Sequence, residues 1–206
     1  MKSSDLYILY LYHNVLFPNC SIFVKSSLKN TKKIKAGDKI LAFPVRSIFD
    51  IIFYRNKIAT IAKVDNFEII DSNYSKIKLK GISRVRLKKV NKNRYAFYDN
   101  IEVDEGNPDK LKMMMDVLRR RTQELIFLIN SKESDKLIYL LNFLTDSSQL
   151  TDFISNYFVT KFVKRFSLYN EINIEKRVRR LISILGKLTK RLKVKGELLQ
   201  DEKEYS

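Results

Sequence analysis

What the chain lacks narrows the reading first. It has one cysteine, one histidine, no tryptophan, three prolines and five glycines in 206 residues. A lone cysteine forms no internal disulfide. Cys20 and His13 together fall short of the ligand set of a zinc site, so no metal site is expected. No apolar run reaches the roughly 18 residues that would span a bilayer. The first residues, MKSSD, lead straight into a tyrosine-interrupted segment, without the apolar region and small-residue cleavage site of a secretory signal. A cytoplasmic location with no membrane partner is the expectation.

Reactive motifs are also missing. A phosphate-binding loop needs glycine amides close to the phosphates, spaced G-x-x-x-x-G-K-[ST]. The nearest approach is Gly186-Lys187, which sits inside a helical pattern with Leu181 at the first glycine position. G-x-S-x-G is absent, and no motif sets a nucleophile beside His13. Asp99, Glu102, Asp104 and Glu105 cluster near the middle of the chain, where they read as the charges of an exposed strand end. No catalytic residue and no cofactor is expected.

Charge is what the chain has in excess. It carries 40 Lys or Arg against 23 Asp or Glu, a net charge of +17. Such a balance suits an acidic partner, RNA among them. A genome whose base composition favours lysine codons yields the same excess. Residues 161–195 hold 12 Lys or Arg and two Glu. That reads as the solvated face of an amphipathic helix, with a docking face for RNA or an acidic surface as the alternative.

The pattern of apolar residues changes near Gly106-Asn107-Pro108. Before it, short strands dominate. Residues 15–24, VLFPNCSIFV, place Pro18 and Asn19 between two apolar runs. Proline ends a strand and asparagine tolerates the left-handed region, so a turn is expected there. Strand-like runs follow at residues 39–45, 48–54, 57–64, 76–80 and 94–103, with KIKLK in strict alternation. Many short strands with few helices between them suggest an antiparallel barrel or sandwich.

After the junction the period becomes helical. Asn107 is a good N-cap and Pro108 a good first helical residue. Leu111, Met114, Met115, Leu118, Leu125 and Ile129 share one helix face. Further helices are expected from Ser134, from Ser147 or Ser148, and over residues 162–169. The last helix begins near residue 171. Ile174, Val178, Leu181, Leu185, Leu188 and Leu192 are spaced 4, 3, 4, 3, 4, a heptad seam. Three consecutive methionines, Met113 to Met115, point in three directions on a helix, so at least one faces outward. Arg119 to Arg121 line the outer side.

This order of segments resembles the N-terminal substrate-recognition domain of Lon-type ATP-dependent proteases. The family's L-P-L-x-x-x-V-L-F-P start is matched by Leu9, Leu11, Val15, Leu16, Phe17 and Pro18, with Tyr10 for its first proline and Asn19 for the usual following glycine. KILAF is similar to its next strand. KIATIAKV is similar to its V-G-T-V-A-K-I strand, with Ala59 for glycine. KIKLKGISRVRL keeps Lys76, Gly81, Arg84 and Val85 of a further element.

The resemblance implies an α+β chain. Residues 1–106 would form an antiparallel β pseudo-barrel (PUA-like), and residues 107–206 a helical bundle ending in a long helix. It implies a non-catalytic substrate-recognition and assembly module that binds unfolded or damaged polypeptide for ATP-dependent proteolysis and protein quality control. Such a module is either the front piece of a longer serine endopeptidase or a stand-alone relative. Its partners would be unfolded substrates, ATPase-protease domains or neighbouring subunits of an oligomer. A basic RNA-binding module with a PUA-like barrel is the alternative. Substrate contacts are expected at Phe49, Ile51, Phe53, Met113 and Arg120. The seam of Ile174, Val178, Leu181, Leu185, Leu188 and Leu192 is expected to meet a neighbour or another domain.

Overall fold

The turn at residues 17–20 shows how the sequence shapes the strands. Pro18 fixes the second turn position, Asn19 takes φ 58°, and Cys20 N–H donates to Phe17 O at 3.2 Å. This is a type II turn, whose third position requires positive φ. The turn docks on a strand. Asn19 N–H donates to Gly81 O at 3.0 Å, and Gly81 N–H donates to Cys20 O at 2.9 Å. A Cβ on Gly81 would lie 2.3 Å from Phe17 O, so only glycine admits so close an approach.

The computed structural model describes residues 5–53, 57–91, 93–129 and 132–204, with side chains at 5–52, 57–91, 93–129 and 132–194. The chain forms two compact units: residues 1–102 with 160–170, and residues 103–159 with 171–206.

The first unit holds strands β1 (Leu6–Tyr12), β2 (Ser21–Ser27), β3 (Lys39–Val45), β4 (Ile58–Ile69), β5 (Tyr74–Val90) and β6 (Tyr95–Asn100). Its helices are α1 (Leu28–Thr31), α2 (Ile48–Phe53) and, from the returning segment, the helix at Phe162–Asn170, which is α6 in chain order. The expected antiparallel pseudo-barrel, with its PUA-like reading, is corrected. The strands form one six-stranded mixed sheet in the order β2-β5-β4-β3-β1-β6, and β1 runs parallel to β3. The reason is topological. Alternation identifies a strand but carries neither its direction nor its neighbour. Here β2 and α1 intervene between β1 and β3, and the longer connection returns the chain in the same sense. β5 is long enough to serve three neighbours: β2 at its start, β4 over most of its length and β6 at its end.

Two apolar clusters pack on opposite sides of the alternating strands. Leu9, Leu11, Ile40, Ala42, Val64 and Leu79 belong to one; Ile8, Leu41, Phe43, Ala59 and Val85 belong to the other. Burial on both faces is why residues 40–45 read as an unbroken apolar run. Residues 48–54 were expected as a strand, but α2 forms instead. Helix α6 is tied to the strands by polar bonds. The buried Thr60 hydroxyl donates to Leu16 O at 2.7 Å, leaving the Tyr169 hydroxyl, 2.8 Å away, to donate to Thr60. Arg84 Nε donates to Tyr169 O at 3.2 Å. The Phe17 ring lies edge-on to Tyr169, with the guanidinium groups of Arg84 and Arg165 5.8 and 5.6 Å from its centroid.

The second unit is helical: α3 (Pro108–Ile129), α4 (Ser134–Phe143), α5 (Ser147–Phe158) and α7 (Ile174–Glu204). Asn107 caps α3 by accepting from Lys110 N–H, Asp146 caps α5 through Gln149 N–H, and Asn173 caps α7 through Lys176 N–H. Arg119 donates to the carbonyls of Leu141 and Leu144, closing the C-terminal end of α4. A fully buried ion pair joins α5 and α7: Arg177 Nη1 lies 3.1 Å from Asp152 Oδ1, each side chain 1% exposed. Arg177 also donates to Glu171 O and Thr151 Oγ1.

Two predictions follow from these packings. Gly81→Ala should destabilise the chain by about 2 kcal/mol through overpacking. Gly186→Ala, where an added Cβ meets nothing within 4 Å, should stabilise it by about 1 kcal/mol. Urea unfolding of both variants checks the opposite signs. Asp152→Ala should cost about 3–5 kcal/mol, because it leaves a buried guanidinium without its counter-charge. The double change Asp152→Leu with Arg177→Met should recover much of that loss.

Candidate functional site

The short helix α2 is the best-defined surface feature of the first unit. Ser47-Ile48-Phe49-Asp50 has the S-x-x-D spacing of a capping box, in which an acidic side chain reaches back to the start of its own helix. Asp50 does so. Its carboxylate accepts from Arg46 N–H at 2.7 Å and from the Arg46 guanidinium at 3.2 and 3.1 Å. Asp50 itself is 2% exposed. The Arg46 guanidinium holds the Asp50 carboxyl below its usual range by hydrogen bonding, against the opposing effect of burial. Arg46 in turn lies 4.9 Å from the Phe166 ring centroid.

This anchor decides what α2 shows to solvent. Asp50 and the half-buried Ile51 face inward, and Ile51 packs on the sheet cluster containing Phe43 and Val45. Ile48, Phe49 and Ile52, at spacings of one and three, are 61%, 58% and 60% exposed. Three large apolar side chains on one turn of a pinned helix make a small exposed apolar patch. Of the residues expected to touch substrate, Phe49 lies in this patch and Ile51 supports it. The side chain of Phe53 lies outside the described residues. Ile48 and Ile52 belong to the patch and were not singled out from sequence. The S-x-x-D spacing is the signal that could have found them.

Met113 and Arg120 lie on α3 in the second unit. With Val117 they follow spacings of four and three, so they share one stripe of that helix. Both are exposed, whereas Met115 is buried. Val117, Arg120, Arg121 and Glu124 line a shallow depression of about 340 Å³. Glu124 accepts from Lys193 Nζ at 2.7 Å and pairs with Arg121 at 3.5 Å. Elsewhere in this unit, the rings of Tyr139 and Phe143 stack at 6.2 Å on the exposed side of α4.

On α7, Ile174, Val178, Leu181 and Leu185 are buried, and Leu188 and Leu192 are half-buried. The first four belong to the core of the helical unit. His13 takes φ 50° and its ring meets Phe162 edge-on. Among the described residues, no group of three His, Cys, Asp or Glu is placed to hold a metal ion. Among them, too, no helix is long and apolar enough to cross a membrane.

Comparison with known proteins identifies the family and the fold. The sequence profile of the ATP-dependent protease La (LON) substrate-binding domain matches residues 5–187. No curated protein matches the chain. Among solved structures, the N-terminal domain of the Mycobacterium avium complex Lon protease superposes with a TM-score of 0.68 at 17% identity, over 89% of this chain and 98% of that one. The Lon N-terminal domain protein from Xanthomonas campestris gives 0.53 at 15% identity, over 87% and 98%.

The anchor of α2 predicts a pH-dependent patch. Asp50 has a folded pKa below its unfolded value of about 4. Its contribution is therefore complete above that value and is lost as pH falls through the folded pKa. The chain contains no tryptophan, so Phe49→Trp gives a single reporter. Its emission should change below about pH 4 before global unfolding. In Phe49→Trp with Asp50→Asn that early step should be absent. A signal constant until global unfolding would contradict the anchor.

Proposed function

The chain belongs to the substrate-binding domain family of the ATP-dependent protease La (LON), and from that premise we propose how it engages substrate. It is the non-catalytic, substrate-binding and assembly part of such a machine and not its catalytic core. Its substrates are unfolded or damaged polypeptides in the cytoplasm, held by exposed apolar side chains. The observation that carries this reading is the patch on α2, where Ile48, Phe49 and Ile52 are each more than half exposed on a helix fixed by the buried Asp50. Single exposed apolar side chains are common on folded proteins, but three on one helical turn form a contiguous patch for which unfolded chains offer partners.

The patch is small, and that suits the task. Burying one large apolar side chain contributes about 1.5–3 kcal/mol, so three partly exposed ones give weak, reversible capture. Copies arranged around a ring would raise avidity without making any single contact strong. The stripe of Met113, Val117 and Arg120 on α3 is a second contact surface. Beyond Leu185, α7 offers Leu188, Leu192 and the exposed Val194 to ATPase-protease domains or to a neighbouring subunit.

The test compares a reduced, carboxymethylated protein with its native form, each titrated against the chain by fluorescence anisotropy. The unfolded form should bind and the native form should not. The triple variant Ile48→Ser, Phe49→Ser, Ile52→Ser should weaken binding by about tenfold or more with unchanged urea stability. Equal binding of native and unfolded protein would refute the reading.

A further inference from the structure

Strand β2 is an edge. Among the described residues it pairs with β5 alone and opens the strand order. The ladder fixes which backbone groups face outward. Gly81 N–H donates to Cys20 O and Leu28 N–H donates to Asn73 O, so even-numbered residues of this stretch bond toward β5. The N–H and C=O groups of Ser21, Phe23 and Lys25 point the other way, while the Ser27 carbonyl already accepts from the Thr31 hydroxyl at the start of α1. Between this strand and β1 lies a groove of about 310 Å³, lined by residues 23–27 of β2 and 9–12 of β1. On the β6 side of β1 the register ends at Tyr7, followed by one further bond from Ile8 N–H to Arg94 O at 2.7 Å.

The lining selects the occupant. Arg94, held at φ 63°, sets its guanidinium 5.2 Å from the Tyr10 ring centroid and donates to Asn30 Oδ1 at 3.0 Å. Lys25 Nζ lies 4.4 Å over the Tyr74 ring. No residue lining the groove is acidic, and among the described residues neither cation has a carboxylate partner. Tyr12 and Phe23, both more than half exposed, supply aromatic contact area.

We propose that this groove binds an extended acidic polypeptide segment, which adds as a strand to β2 and sets a carboxylate against Lys25 and Arg94. The outward backbone groups bind any extended chain, and the cations select acidic ones. A second copy of the same chain is a poorer occupant. It would set one +17 molecule against another and bring no carboxylate to Lys25 from the facing β2, which has none. The inference rests on the reading of the chain as a substrate-binding domain and gives that domain a second mode of capture, through backbone bonds as well as apolar patches.

The probe is a labelled, end-blocked octapeptide alternating valine and glutamate, with a lysine-for-glutamate counterpart and a counterpart N-methylated at alternate residues. The glutamate peptide should bind, with affinity falling as salt rises. The lysine peptide should bind about tenfold more weakly or worse, and the N-methylated one not at all. Amide protons of Phe23 and Lys25 should gain exchange protection on binding. Lys25→Pro removes an N–H that points away from β5 and should abolish binding at unchanged stability; Arg94→Gln should weaken the glutamate peptide about tenfold. Equal affinity for both charged peptides, protection confined to other residues, or a Lys25→Pro effect seen only on self-association would each overturn the proposal. Capture of unfolded protein that neither Lys25→Pro nor the glutamate peptide disturbs would overturn it while leaving the substrate-binding reading intact. A chain that captures no unfolded protein loses that reading, and the peptide titration still decides the fate of the edge.

Discussion

The close approach of the turn at residues 17–20 to Gly81 is the constraint on which the sheet unit depends. Two backbone hydrogen bonds cross it, and the Phe17 carbonyl occupies the space a side chain on residue 81 would need. Each bond contributes about 1 kcal/mol net, which is modest. The consequence lies in placement. The turn delivers Phe17 to the ring of Tyr169 and sets the start of β2 in register with β5. Because Leu16 O and Thr60 meet at the same point, the anchoring of α6 through Tyr169 uses that placement too. One small residue on a long strand thus couples the first segment of the unit to its last.

With the scaffold fixed in this way, the exposed features become interpretable. Ile48, Phe49 and Ile52 would be unremarkable on a loose loop. They matter because Asp50 is buried beneath them and holds the helix through three hydrogen bonds from Arg46. A rigid apolar patch loses little conformational entropy on binding, so its small area is used efficiently. The same logic applies to β2, whose outward backbone groups are held in line by a continuous ladder to β5.

Much of this was legible in the sequence, for physical reasons that differ by element. VLFPN announced its turn because proline and asparagine have narrow conformational preferences, and Asn19 does take positive φ. Asn107 announced the start of α3 because capping chemistry is local. The parallel pairing of β1 with β3 was not legible, since alternation is blind to direction. Helix α2 was missed because IFDIIF has β-branched and aromatic content suited to a strand, which masked the S-x-x-D start signal that the Asp50–Arg46 bonds express. Phe49 was legible as apolar and exposed; its partners Ile48 and Ile52 required the helical spacing. The seam on α7 was legible as apolar, but periodicity says which face is apolar and not what it meets. Ile174 to Leu185 meet the unit's own core.

The correction to the sheet also bears on the meaning of the charge. An RNA-binding reading drew on two arguments, a PUA-like barrel and the excess of +17. The first is gone, and the second is not specific to nucleic acid, because a field of that sign attracts any acidic chain. What distinguishes the two is the local chemistry beside the cations. Bases splayed for recognition need open aromatic platforms for stacking. The groove by β2 does carry exposed rings at Tyr12 and Phe23, but its cations also stand beside outward N–H and C=O groups, which a polypeptide backbone can satisfy and a sugar-phosphate backbone cannot match in period. On the proposed strand addition, a basic excess that costs the folded chain some self-repulsion would also raise the local concentration of acidic, extended chains near β2.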